Sequence, residues 1–259
     1  MTILTPAFIL GALALILGAL LAVASVIFKV ETDERIEKIT ELLPGANCGG
    51  CSYAGCSGLA KAIVEEGAKV TLCGSVSEEA AEEIAKIMGR EKEKVEPKKA
   101  VVLCSRTEGG TKLKYDYYGV LDCFAAQRIL GGPNACKYGC IGFGSCIRVC
   151  PEDAIIIKGG IAVINEKICV GCGACKNQCP QNIIELIPKE TKIYVKCKNA
   201  DKGSETRKVC ESGCIGCGIC AKGCEAGAIE VSGVAKIDYN KCTSCGECAE
   251  KCPKKVIAK

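Results

Sequence analysis

A chain of 259 residues holds two or three small domains, and its 24 cysteines are far above ordinary usage, so disulfides, zinc or iron–sulfur clusters must account for them. The absence of His excludes zinc sites built with imidazole, Rieske centres, His-ligated haem and any mechanism that needs a His base. With no Trp and 4% aromatic residues the polar body needs covalent or metal staples, and the formal charge of +4 overstates its basicity, because ligating cysteines are thiolates that bound metal only partly neutralises.

Residues Thr2 to Phe28 carry no charged side chain and run through ILGALALILGALLAVASVIF. That length predicts a single transmembrane helix and an anchor over residues 1–29. A cleaved signal peptide competes, with Ala22-Val23-Ala24 as its cleavage site, but the positive leader is missing and the apolar run is too long for a signal core. Lys29 is the first charge, which places the polar body on the cytoplasmic side of the cell (inner) membrane, where thiols also stay reduced. Ala7, Gly11, Ala14, Gly18, Ala22 and Ser25 fall on one face of this helix, a stripe suited to packing against other membrane subunits.

Residues 30–95 are expected to form a small, mainly α domain. A helix is predicted over 31–43, capped by Thr32 or Asp33, with Ile36, Ile39, Leu42 and Leu43 on one side and Pro44 as its stop. Cys48, Cys51, Cys56 and Cys73 then make a C-x₂-C-x₄-C-x₁₆-C pattern in a glycine-rich loop that turns into the helix SGLAKAIVEEG. The helix start favours thiolates, and a [4Fe-4S] cluster is the preferred occupant over zinc. A second helix is predicted from Ser77 to Met88, acidic at its start and ended by Gly89. REKEKVEPKK follows as an exposed linker, with a domain boundary near residue 95.

The rest reads as two α+β ferredoxin-like units, 96–190 and 191–259, related by duplication. When CKYGCIGFGSCIRVCPEDAI (136–155) is laid on CESGCIGCGICAKGCEAGAI (210–229), Cys136, Cys140, Cys146 and Cys150 meet Cys210, Cys214, Cys220 and Cys224, while Phe143 faces Cys217. Cys104 and Cys197 form a further matching pair upstream. Each copy is followed by C-x₂-C-x₂-C-x₃-C-P: Cys169, Cys172, Cys175, Cys179 in the first and Cys242, Cys245, Cys248, Cys252 in the second. A lone C-x₂-C is usually zinc, but this run with its terminal Cys-Pro is the bacterial ferredoxin motif, whose fourth Cys serves the neighbouring cluster.

Ligation should therefore cross between motifs. The expected sets are Cys214, Cys217, Cys220 with Cys252; Cys242, Cys245, Cys248 with Cys224; and Cys169, Cys172, Cys175 with Cys150. The remaining set has Cys140, Cys146 and Cys179 but lacks a thiolate at Phe143, and Cys123, which has no counterpart in the second copy, is expected to supply it. Cys104, Cys136, Cys197 and Cys210 are left over. Either they hold a further cluster bridging the units or they are unligated, which gives five or six [4Fe-4S] clusters in all. No G-x-G-x-x-G or Walker sequence, no catalytic arrangement and no ionisable residue within the anchor is present, so nucleotide chemistry or ion movement would belong to a partner, and nucleic acid is not an expected ligand.

The anchor, the four-Cys domain, YDYYGVLDC, GGPNACKYGCIGFGSC and GCIGCGICAKGC ahead of a final ferredoxin motif are together similar to the family of Rnf complex B subunits over nearly the whole chain. That resemblance implies an electron-transfer component of an ion-translocating ferredoxin:NAD oxidoreductase, with reduced ferredoxin as donor, other membrane subunits as partners, and export of sodium or protons by the complex. The competing readings are a polyferredoxin arm of another membrane oxidoreductase, such as a hydrogenase, and a cluster protein for storage or sensing.

Overall fold

A computed structural model describes residues 4–27, 33–92, 94–106 and 110–259, with side chains of the first helix over 8–24. That helix, α1 (Leu4–Ile27), is 24 residues long and carries no acidic residue in its first turn and no basic one in its last. Its large apolar side chains from Phe8 to Val23 are exposed. Residues 8–24, whose side chains are described, measure about 25 Å of helix, and over the stretches described to that extent no helix is long and apolar enough to cross a membrane. Lys29 and Thr32, to which the sequence assigned roles, lie outside the described residues.

Three helices build the next domain. In α2 (Glu34–Leu42) the Asp33 carboxylate accepts the Arg35 backbone N–H at 2.9 Å, satisfying one of the orphan donors at the helix start. Ile39 and Leu43 are buried against Leu59 and Ile63 of α3 (Gly55–Glu65) and Ile84 of α4 (Glu78–Met88). Each such side chain contributes roughly 1.5–3 kcal/mol on leaving water. Ser77 caps α4 by accepting from Ala80 N at 3.1 Å, and Gly89, at φ 60°, closes it in the left-handed conformation that costs glycine least.

The polar stretch after α4 departs from expectation at its end. Lys98 and Lys99 open β1 (Lys98–Val102), which pairs antiparallel with β4 (Ile184–Pro188) in the register Lys98↔Pro188 to Val102↔Ile184. Lys99 is 3% exposed and its ammonium is paired with Glu166, so its stem lies in the core while its charge is neutralised.

Around this pair the first unit adds α5 (Cys123–Arg128), the hairpin β2 (Ile155–Lys158) and β3 (Ile161–Ile164), and the short α6 (Ala174–Asn177). Gly159 and Gly160, both at positive φ, form the hairpin's two-residue turn. The second unit has α7 (Gly203–Val209), α8 (Ile219–Lys222), the hairpin β5 (Ile229–Ser232) and β6 (Val234–Ile237), and α9 (Glu247–Glu250). Each unit has its own buried core, one around Val101, Ile183 and Ile187, the other around Ile193, Val234 and Val256. Antiparallel bridges Cys104↔Cys197 and Thr111↔Cys210 join the units at the backbone.

Candidate metal centres

In the N-terminal domain, Cys48 and Cys51 lie in the loop before α3, Cys56 lies in its first turn and Cys73 follows a single 3₁₀ turn over Val70–Leu72. Asn47 holds the loop by accepting the Cys56 backbone N–H on Oδ1 at 2.8 Å. Burial raises the Cys73 thiol above its ordinary value, and negative charge on Cys51, Cys56 and Cys48 raises it further, so the four sulfurs feel one another.

The next thiols lie directly against this loop. A Cβ on Gly50 would run into the Cys172 carbonyl and one on Gly74 into that of Gly171, so the backbones of the two cysteine loops touch where only glycine fits. Asn177 Nδ2 reaches Gly50 O at 3.5 Å and Ser75 Oγ donates to Val170 O at 3.4 Å across the same junction. Nothing in the ligand spacing announced this contact, since glycine in a cysteine loop is expected for local reasons alone. Burial pushes the Cys175 thiol up to about 12, with Cys172, Cys169, Cys146 and Cys150 adding to it. Ala100 N and Ala154 N donate to the sulfurs of Cys169 (3.4 Å) and Cys150 (3.3 Å). These are the backbone N–H···S bonds that stabilise thiolate charge and tune a cluster.

Beside this group a cavity is lined by Cys123, Cys140, Cys146 and Cys179 among Val102, Ile141, Ile157, Ile183 and Ile184. Cys123 stands at the start of α5, which two contacts hold over the cavity. Asp122 caps the helix through Phe124 N (2.9 Å) and Ala125 N (3.0 Å), and Gln127 Nε2 donates to Pro180 O (2.9 Å), next to Cys179. Buried Ser145, adjacent to Cys146, accepts the Cys123 backbone N–H at 2.8 Å and donates to Asp122 at 2.9 Å, while Arg148 pairs with the same carboxylate. Phe143 packs on Tyr117 with ring centroids 5.3 Å apart and, with Cys123, Ala126 and Ile141, forms a small core of its own. Burial pushes Cys140 up to about 12 and Cys146 to about 11, and Cys123 and Cys179 act on Cys146.

The second unit repeats the pattern with its own sulfurs. Cys214, Cys217, Cys220 and Cys252 line a cavity with Ile215, Val231, Ala235, Val256 and Ile257. Burial pushes Cys220 up to about 11 and also raises Cys248, which Cys242, Cys245 and Cys224 raise further. The remaining thiols, Cys104, Cys136, Cys197 and Cys210, line one more cavity, between the units.

Burial disfavours the thiolate form of the cysteines whose pKa values it raises, and the positive charge of a bound metal would offset that cost. A lone zinc draws thiolates in to about 2.3 Å, whereas a four-iron cube places one at each of its irons and suits sulfurs spread round an apolar cavity. The thiols, the cavities and the N–H···S donors fit such a cluster.

Models of iron–sulfur families match the chain in four places: a putative Fe-S cluster family over residues 43–74, 4Fe-4S binding domains over 140–154 and 162–185, and a 4Fe-4S dicluster domain over 213–256. The chain is 42% identical, over 99% of its length and 78% of the relative's, to the B subunit of the Na(+)-translocating ferredoxin:NAD(+) oxidoreductase complex of Acetobacterium woodii. It is 40% identical over 99% of its length, and 92% of the relative's, to the B subunit of the proton-translocating ferredoxin:NAD(+) oxidoreductase complex of Clostridium ljungdahlii. To the B subunit of the ion-translocating oxidoreductase complex of Methanosarcina acetivorans it is 39% identical over 96% of its length and 95% of the relative's. Several [4Fe-4S] clusters are thus the cofactors of this chain.

Proposed function

The chain belongs to the family of B subunits of ion-translocating oxidoreductase complexes, and from that membership we propose that it takes single electrons from a reduced ferredoxin and relays them into a ferredoxin:NAD oxidoreductase. It is an electron-transfer subunit of such a complex, with no substrate chemistry of its own in this reading. The clusters' ligands are the sets Cys48, Cys51, Cys56, Cys73; Cys169, Cys172, Cys175, Cys150; Cys140, Cys146, Cys179, Cys123; Cys214, Cys217, Cys220, Cys252; and Cys242, Cys245, Cys248, Cys224. When bound, each cluster supplies one-electron redox chemistry. The protein's residues hold it, exclude water and direct N–H donors at its sulfurs.

The observation that carries the relay is the backbone contact of Gly50 and Gly74 with the Cys169–Cys175 loop, which leaves the N-terminal set and a first-unit set with no side chain between the two loops there. Storage requires no such apposition.

In the same reading α1 is the membrane anchor. Its 24 residues amount to roughly 36 Å of helix against a hydrocarbon core of about 30 Å, and the large apolar side chains described along it are exposed. The cysteine-rich body then lies on the cytoplasmic side, where thiols stay reduced until clusters assemble on them. The test is purification from gently solubilised membranes with identification of the co-migrating subunits. Partners that include a ferredoxin-oxidising, NAD-reducing assembly support the reading, and co-migration with hydrogenase subunits, or recovery from the soluble fraction, contradicts it. Replacing Gly11 and Gly18 together by Leu should leave the protein in the membrane and loosen it from those partners.

A further inference from the structure

We propose that the seam between the two ferredoxin-like units holds a four-iron cluster of its own, ligated by Cys104 and Cys136 from the first unit and Cys197 and Cys210 from the second. The four thiols line one cavity. In the duplicated sequence Cys104 corresponds to Cys197 and Cys136 to Cys210, so the site is built from the same two positions of each copy and neither unit can form it alone.

The backbone fixes the sulfurs from both sides. Cys104 is bridged to Cys197, and Cys210 to Thr111. Three donors then point at sulfur: Asn199 Nδ2 at Cys136 (3.6 Å), Thr111 Oγ1 at Cys210 (3.8 Å) and Cys214 N at Cys197 (3.3 Å). Asn199 is 2% and Thr111 9% exposed. A buried amide that spends an N–H on a thiol gains little, because a neutral sulfur is a weak acceptor, whereas a metal-bound thiolate is a charged one. Arg106, Lys196 and Lys198 also contribute to the cavity wall, although the Arg106 guanidinium is bonded to Asn134 and Gly160 O and the Lys198 ammonium to Asn182 O. Cysteines serving only as small apolar residues would not call for the three donors.

The seam lies in series with the other sets. Cys136 is one short loop from Cys140 and Cys210 one short loop from Cys214, so it is flanked in the same way by an irregular first-unit set and a second-unit set. A cluster held there would supply one-electron transfer between the flanking sets, with no bond made or broken. The inference rests on the cluster reading above, and adds that the units conduct to one another through this site.

The test uses the full chain prepared anaerobically, with and without Cys136→Ser and Cys210→Ser together. The expected result is a loss of about four iron and four sulfides per chain, with the paramagnetic resonance signals of the remaining clusters retained. The paired change Asn199→Leu and Thr111→Val keeps the thiols and should shift one centre to lower potential in a redox titration, since donors to sulfur favour the more negative reduced form. Wild-type protein with about twenty iron atoms, five clusters of four, and an unchanged count in the cysteine variant would overturn the seam alone. Zinc at the seam would do the same. Zinc or little iron throughout the wild type would overturn the underlying cluster reading with it.

Discussion

The two ferredoxin-like units fill corresponding cavities by different routes. In the second, Cys214, Cys217 and Cys220 come from one loop and Cys252 from the final motif. In the first, Phe143 stands where Cys217 would be, and α5 brings Cys123 to the cavity from upstream. The Phe143 ring packs on Tyr117 and shares a small core with Cys123, the ligand proposed for this cavity. In the proposed assignment, the residue that stands in the ligand position of the loop also packs beside the cysteine that serves in its place. The same contrast holds elsewhere in the loops: Gly171, at φ 70°, is crowded by the Lys98 carbonyl of β1, while its counterpart Ser244, at φ 58°, accepts the conformational cost of a side chain at positive φ.

The largest effect should come from Cys123→Ala, which removes one cluster or converts it to a form with fewer irons and leaves the other signals in place. Adding Phe143→Cys should restore part of the loss by recreating the arrangement of the second unit. An unchanged set of paramagnetic signals in the single variant would transfer the ligand role to another cysteine.

A smaller effect is expected where the N-terminal domain meets the first unit. Gly50→Val should cost about 1–3 kcal/mol through overpacking and open the junction. Faster proteolysis within residues 90–97, with iron content unchanged, is the measurable sign. Cleavage at the wild-type rate would mean that the contact does not hold the two domains together.

Much of this arrangement is readable in the residues before any coordinates. Asp33, Ser77 and Gly89 mark helix ends by their chemistry, and the two C-x₂-C-x₂-C-x₃-C-P runs specify their loops by spacing. Cys123 could be reached only by elimination, since the hydrogen bonds of Ser145 and Gln127 that place it span long sequence distances. The Gly50 and Gly74 contacts leave no pattern, because they consist of a missing Cβ against a carbonyl. Lys98 and Lys99 read as linker because their charge does not reveal that they open a strand or that the Lys99 stem packs in the core. The seam cysteines were visible as duplicated pairs, but that they meet is a property of how the units dock.

The smallest effect concerns α4, whose Ala81 and Ile84 belong to the core against which Cys51, Cys56 and Cys73 pack. Ser77→Ala removes the acceptor for Ala80 N and should cost about 1 kcal/mol. It should lower the melting temperature slightly and leave every cluster signal as it was. Loss of a cluster from this variant would show that the N-terminal site depends on the helix end more closely than its geometry indicates.

Quantifying iron, acid-labile sulfide and zinc in anaerobically prepared full-length protein tests the central claim most directly. Iron and sulfide should appear in near-equal amounts, at about twenty or more of each per chain, with zinc minor. Zinc as the dominant metal, or iron without sulfide, would contradict the account.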